Sequence, residues 1–134
     1  MRWDVRWEDD AHRRINAHVK GMARRDLNVL DAAERAADQI NQLIDRPSGR
    51  RLINPNQLRR SVHSISANIA EGFGRGTGKD RSRMLRIARG ETEETIQHLN
   101  ANFRATRLSA KEYWASRNLL AVIVKMLNAL VRDC

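Results

Sequence analysis

Leu58, Val62, Ile65, Ile69 and Phe73 recur at intervals of four, three, four and four residues. On a helix of 3.6 residues per turn that spacing puts all five on one side, so the segment must bury a narrow stripe against other helices. The remaining apolar residues keep the same period. Leu27, Leu30, Ala33 or Ala37, Ile40, Leu43 and Ile44 mark a helix before it, and Met84, Leu85, Ala88, Ile96, Leu99 and Phe103 mark a third over residues 79–105. Tyr113, Leu120, Ile123, Leu127 and Leu130 mark a fourth. No stretch alternates with the period of two that a half-buried strand requires.

The punctuation agrees with this division. "RPSG" at 46–49 ends the first helix, and Asn54 followed by Pro55 reads as an N-cap and first helical residue of the second. Ser109 and Glu112 in "SAKE" form a capping box at the start of the fourth. Four helices with short connections predict an all-α fold, an up-and-down antiparallel four-helix bundle over residues 26–134. Residues 1–25 form an N-terminal extension, partly helical or flexible, in which Ile15, Val19 and Met22 mark a turn or two. Trp3 and Trp7, one helical turn apart, are candidate anchors for it.

The net charge of +9 is segregated. Between Arg46 and Arg89 lie eleven cations opposed only by Glu71 and Asp80, so this run carries the whole excess, while the other residues balance at 14 cations against 14 anions. Arginine outnumbers lysine 21 to 4, and its planar fork suits phosphate better than an ammonium does. Such a surface points to an anionic partner. The only cysteine, Cys134, cannot staple the fold and excludes cysteine-based zinc sites. With no apolar run near the length of a membrane span and no targeting segment, the sequence predicts a cytoplasmic protein with no membrane partner.

The glycine-rich "EGFGRGTGKDR" at 71–81 invites a phosphate-loop reading that its spacing refuses. The position five before Gly78 is Phe73, and Lys79 precedes Asp80 rather than Ser or Thr. A dinucleotide fingerprint fails as well, and both motifs need a strand in front where this chain has a helix. The stretch reads instead as a helix end near Gly72 to Gly74 and a hinge, with the next helix starting near Lys79. Its first N–H groups, with Lys79, Arg81 and Arg83, are a candidate phosphate contact. On the second helix Gln57, Ser61, Ser64, Asn68, Glu71 and Arg75 form a polar row beside the apolar stripe. Asn68 and Glu71 are expected to be semi-buried, with Arg59 or Arg75 as the carboxylate's partner. On the third helix Lys79, Arg83 and Arg86 share a face, and Arg89 and Glu93 are spaced as a local pair. Antiparallel packing would place Arg75 with these cations at one end and Arg50, Arg51, Arg59 and Arg60 at the other. The four histidines have no zinc-ligand spacing on a helix. Arg13 and His18 resemble the arginine–histidine motif of some all-helical RNases.

"DLNVLDAAERAADQI" and "NQLRRSVHSISANIAEGFGRGTGKDRSRMLRIARGETEETIQHL" together resemble the bacterial four-helix-bundle family, also known as ribosomal RNA intervening-sequence proteins. The family stretches are Gln-Leu-Arg-Arg-Ser (residues 57–61), Ser-Ile through Asn-Ile-Ala-Glu-Gly (64–72), and Ala-Arg-Gly (88–90) ahead of an acidic helix that includes Glu94. The resemblance covers residues 26–132. Ser66, Glu91, Leu30, Thr92 and Thr95 depart from the usual family residues. The same fold includes the accessory variability determinant of diversity-generating retroelements, whose members form basic homopentamers and bind nucleic acid with a reverse transcriptase. The resemblance implies a homo-oligomer, pentamer favoured, with no catalytic centre and no cofactor, and a reverse transcriptase as a candidate partner.

These readings converge on a non-enzymatic nucleic-acid-binding protein, for RNA or DNA. Arg59, Arg60, Arg75, Lys79, Arg81, Arg83, Arg86 and Arg89 are its candidate phosphate contacts, with little base preference, while Ser61, Asn68, Glu71 and Gly72 are structural. A scaffold that docks an acidic protein is the alternative, and a helical RNase is third.

Overall fold

The computed structural model describes residues 24–76 and 78–134; Trp3, Trp7, Arg13 and His18 fall outside the described residues. Within them the chain forms four helices: α1 Arg24–Asp45, α2 Pro55–Gly74, α3 Lys79–Arg104 and α4 Ala110–Arg132. Each helix packs against the next in chain order, α4 closes back onto α1, and the diagonal pairs do not meet. Side-chain contacts give the directions. Asp45 at the end of α1 meets Arg59 near the start of α2, Ser61 of α2 meets Thr95 in the second half of α3, and Asn100 of α3 meets Tyr113 at the start of α4. The result is an antiparallel up-and-down bundle.

The stripe that demanded this arrangement is at its centre. Leu58, Val62, Ile65 and Ile69 of α2 are wholly buried, and Phe73 packs half-buried at the end. Enclosing each of these side chains contributes about 1.5–3 kcal/mol. The interior is not purely apolar. Ser61, Thr92, Thr95 and Asn102 are buried too, and each is hydrogen-bonded. Thr92 donates to the Ala88 carbonyl at 2.8 Å, and Thr95 reaches both the Glu91 carbonyl and the Ser61 hydroxyl. A helical threonine that bonds its own preceding turn enters a core without leaving an orphaned group.

Helix ends follow local chemistry with one exception. The Ser109–Glu112 capping box is complete, with Glu112 N–H donating to Ser109 Oγ at 3.1 Å and Ser109 N–H to the Glu112 carboxylate at 2.9 Å. Asn54 does precede Pro55 at the first helical position, but its side chain makes no cap. It adopts the left-handed conformation at φ 49°, turning the loop into α2 instead. At the other end of α2 the left-handed positions are Gly76 and Gly78, which release the chain into α3.

Gly72 serves packing rather than a turn. A Cβ there would sit 3.2 Å from Met84 Cβ and 3.3 Å from Leu85 Cδ2, so the missing side chain is what lets α2 and α3 close up. Gly90, on the outer side of α3, would meet nothing within 4 Å. Opposite outcomes follow. Gly90→Ala should stabilise by about 0.5–1 kcal/mol through helix propensity, whereas Gly72→Leu should destabilise by about 1–3 kcal/mol through overpacking. Urea unfolding of the two variants reads the difference, and equal midpoints would remove this role for Gly72.

The expectation that no segment is apolar enough for a membrane span needs correction. α4 has 23 residues and a mean hydropathy of 1.2 over its richest window, enough by length and composition. It reaches that value because it supplies a large share of the core: Tyr113, Leu119, Leu120, Ile123, Leu127 and Leu130 are all buried.

Candidate nucleic-acid interface

The basic run is divided by the fold into groups with different fates. Arg46 is consumed internally. Its guanidinium donates to the carbonyls of Ser48 at 2.9 Å, Arg50 at 2.9 Å and Arg107 at 2.8 Å, and lies 3.5 Å from Glu112, so it knits together the two loops at that end of the bundle. Arg107 returns the contact by donating to the Arg51 carbonyl, and Arg50 donates to Thr106. These cations brace loops before they can attract anything.

Arg59, Arg60 and Arg75 are each partnered by a carboxylate. Arg59 donates to Asp45 at 2.7 Å and to Asn41 at 3.0 Å. The hydrogen bond from Arg59 holds the Asp45 carboxyl below the usual aspartate range, and the guanidinium's own value is raised in turn. Arg60 stands 3.6 Å from Glu94, and Arg75 donates to Glu71 at 2.9 Å one turn back. The polar row thus differs from expectation in one respect. Asn68 is half-buried and bonds the Ser64 carbonyl, but Glu71 is exposed, because its position on α2 rotates it past the α3 contact to the solvent side.

Two more arginines turn inward. Arg81 donates to the Phe73 carbonyl at 3.3 Å with its guanidinium 5.3 Å from the Phe73 ring, which ties the start of α3 to the end of α2. Arg89 donates to Asn128 of α4 at 2.9 Å rather than pairing with Glu93, because its row on α3 faces α4. The first turn of α3 also carries Asp80, whose charge already complements the helix N-terminus.

What remains is Lys79, Arg83 and Arg86. All three are exposed on the outer face of α3, and among the described residues their side chains have neither an ion pair nor a hydrogen bond. At a rise of 1.5 Å per residue they span roughly 10 Å along the helix. Free, close-set and unneutralised, they form the strongest attraction for a polyanion among the eight candidates. Arg60, together with Arg104 near the end of α3, marks a second zone roughly 27 Å away by the same rise. The two zones lie at opposite ends, as antiparallel packing requires.

Periodicity and charge counting missed two features. Trp114 on α4 is 48% exposed with the Arg117 guanidinium 5.7 Å from its ring, an aromatic surface outside the basic run. Asn102 is buried inside α3 and clasps the backbone of Ile53 in the α1–α2 loop. Its neighbours along the chain carry no hint of a contact 49 residues away. Among the described residues no group of three or more His, Cys, Asp or Glu side chains is placed to hold a metal ion.

A family model described as 23S rRNA-intervening sequence protein matches residues 25–129. Among solved structures, a protein of unknown function from the S23 ribosomal protein family of Bacteroides thetaiotaomicron aligns with a TM-score of 0.72. It is 26% identical over 81% of this chain and 98% of that one. None of the curated proteins matches.

Proposed function

Because the chain belongs to the 23S rRNA-intervening sequence protein family, we propose that it is a non-enzymatic nucleic-acid-binding protein, with RNA as its first partner. The observation that carries this reading is the unneutralised row of Lys79, Arg83 and Arg86 on α3. A cation that is already paired in the folded protein gains little from a phosphate, since the new contact must replace the old one. A free cation releases the counterions condensed on the polyanion. The paired Arg59, Arg60 and Arg75 contribute weaker contacts, and the inward Arg81 and Arg89 mainly hold the helices that carry the row.

The reading includes assembly into a homo-oligomer, with a pentamer favoured by the family resemblance and a reverse transcriptase as a candidate protein partner. Repetition of a three-cation row around an assembly multiplies contacts without any new chemistry.

Filter binding to structured RNA and to duplex DNA across a salt series tests the proposal. Three phosphate contacts per chain predict a slope of log K on log salt of about −2.7 on a duplex, steeper if several subunits engage one strand. Absent or salt-insensitive binding would overturn it. The same free row would hold an acidic protein, so pull-down after nuclease treatment separates the readings: a partner kept without nucleic acid favours the scaffold.

A further inference from the structure

Trp114 is the most exposed large apolar side chain among the described residues, and the only such exposed one on α4. It is braced from within the core. Its ring meets the Tyr113 ring at 4.9 Å, edge to face. Tyr113 is itself buried, stacked on Phe103 at 4.2 Å, and its hydroxyl donates to Asn100 of α3. A side chain supported in this way presents a pre-set flat face to solvent, so a ligand that covers it has little rotamer freedom to remove.

The surroundings are cationic. α4 carries Lys111, Arg117, Lys125 and Arg132 against one carboxylate, Glu112. That carboxylate is engaged by the Ser109 N–H and lies 3.5 Å from Arg46. Lys111 and Arg117 stand three residues to either side of Trp114, so helical spacing sets both beside it. Lys111 is exposed, without a partner among the described residues. The Arg117 guanidinium lies 5.7 Å from the ring centroid, within cation–π range but beyond the roughly 3.5–4 Å of stacking contact.

The composition of the face selects the occupant. Exposed Ala115 and Asn118 lie next to Trp114. A membrane surface or a second copy would need a contiguous apolar patch there, whereas stacking of a base needs one ring with cations beside it. We propose that the outer face of α4 is a second nucleic-acid surface, specific for single strands: one unpaired base stacks on Trp114 while Lys111 and Arg117 hold the phosphates on either side. The inference rests on the nucleic-acid-binding reading and deepens it. α4 runs antiparallel to α3, so Trp114 lies at the end of the bundle away from Lys79, Arg83 and Arg86. That row can hold a duplex through its phosphates alone. The bases of a duplex are already stacked on one another, so only a loop or a free strand can offer a face to Trp114.

The test is fluorescence anisotropy on the full chain with an unstructured oligo(U) strand and an RNA duplex of the same length at one salt concentration. Trp114→Ala should weaken oligo(U) binding on the order of tenfold and change duplex binding by less than about twofold. Trp114→Phe, which keeps a ring, should hold oligo(U) within about threefold of the parent. Circular dichroism of both variants reads the fold independently. Oligo(U) binding that survives Trp114→Ala, an equal loss on strand and duplex, or a loss in Trp114→Phe as large as in Trp114→Ala overturns the stacking face. So does an effect of Trp114→Ala confined to solution mass or to binding of anionic phosphatidylserine vesicles, which would assign the face to a second copy or to a membrane. In each of these cases the free cation row stands. Failure of both strand and duplex to bind the unaltered chain removes the nucleic-acid reading, and this inference with it.

Discussion

The triple variant Lys79→Glu, Arg83→Glu, Arg86→Glu should lose at least about 10²-fold in affinity for structured RNA at physiological ionic strength. Three phosphate contacts, each carrying about 0.9 of a unit of salt slope, account for roughly that factor near 0.15 M, and reversal of sign adds repulsion. The fold should be indifferent to the change. All three side chains are exposed and have no partner among the described residues, and a glutamate at position 79 sits in the first turn of α3, where the helix dipole favours it. Circular dichroism and urea unfolding of the variant should therefore match the parent within about 1 kcal/mol. The contrast is Arg75→Ala, which releases Glu71 from a surface pair and should cost only a few-fold in binding. Retention of affinity within about threefold by the triple variant would show that binding, if present, uses another surface.

Asn102→Ala is the second large effect, and it acts on stability. Asn102 is 1% exposed. Its Oδ1 accepts from Ile53 N–H at 2.6 Å, and its Nδ2 donates to the Ile53 carbonyl at 3.3 Å and the His98 carbonyl at 2.9 Å. Both polar groups of one loop residue are thus satisfied by one side chain. Alanine would leave them unmatched beside a new void, a loss of about 2–4 kcal/mol. Melting should fall by on the order of 10 °C. The loss has a functional side, since the released loop carries Arg50 and Arg51 and adjoins the left-handed Asn54. Binding at that end should weaken before the Lys79–Arg86 row is affected. An unfolding midpoint equivalent to a change under about 0.5 kcal/mol would mean that the contacts of Arg46, Arg50 and Arg107 hold the loop without Asn102.

Legibility divided along the range of the interactions. The α2 stripe was readable because helical period is a local property: Leu58, Val62, Ile65 and Ile69 could lie on one face in no other regular structure. The Ser109–Glu112 box was readable because its partners are three residues apart. Gly72, by contrast, looked like part of a glycine-rich hinge. Its actual task, admitting Met84 and Leu85, depends on the approach of a second helix. Glu71 was expected to be half-buried because it borders the stripe, and a modest rotation about the helix axis was enough to expose it. The clasp of Asn102 on Ile53 had no signature at all, since its partner lies 49 residues away along the chain.

The amino-acid order alone determined that residues 26–134 make four helices, where they end, and that the chain's excess charge is mostly arginine concentrated between residues 46 and 89. Periodicity, caps and composition act over a few residues, and nothing distant can hide them. Which of those cations remain available was decided only by tertiary structure. Arg46 meets a carbonyl 61 residues away, Arg89 an amide 39 away and Arg59 a carboxylate 14 away. A charge counts toward an outside partner only after such internal claims are subtracted, because desolvating and re-pairing it costs what the new contact returns. The helix pairing that makes those claims leaves Lys79, Arg83 and Arg86 exposed on the outer face of α3, without a partner among the described residues.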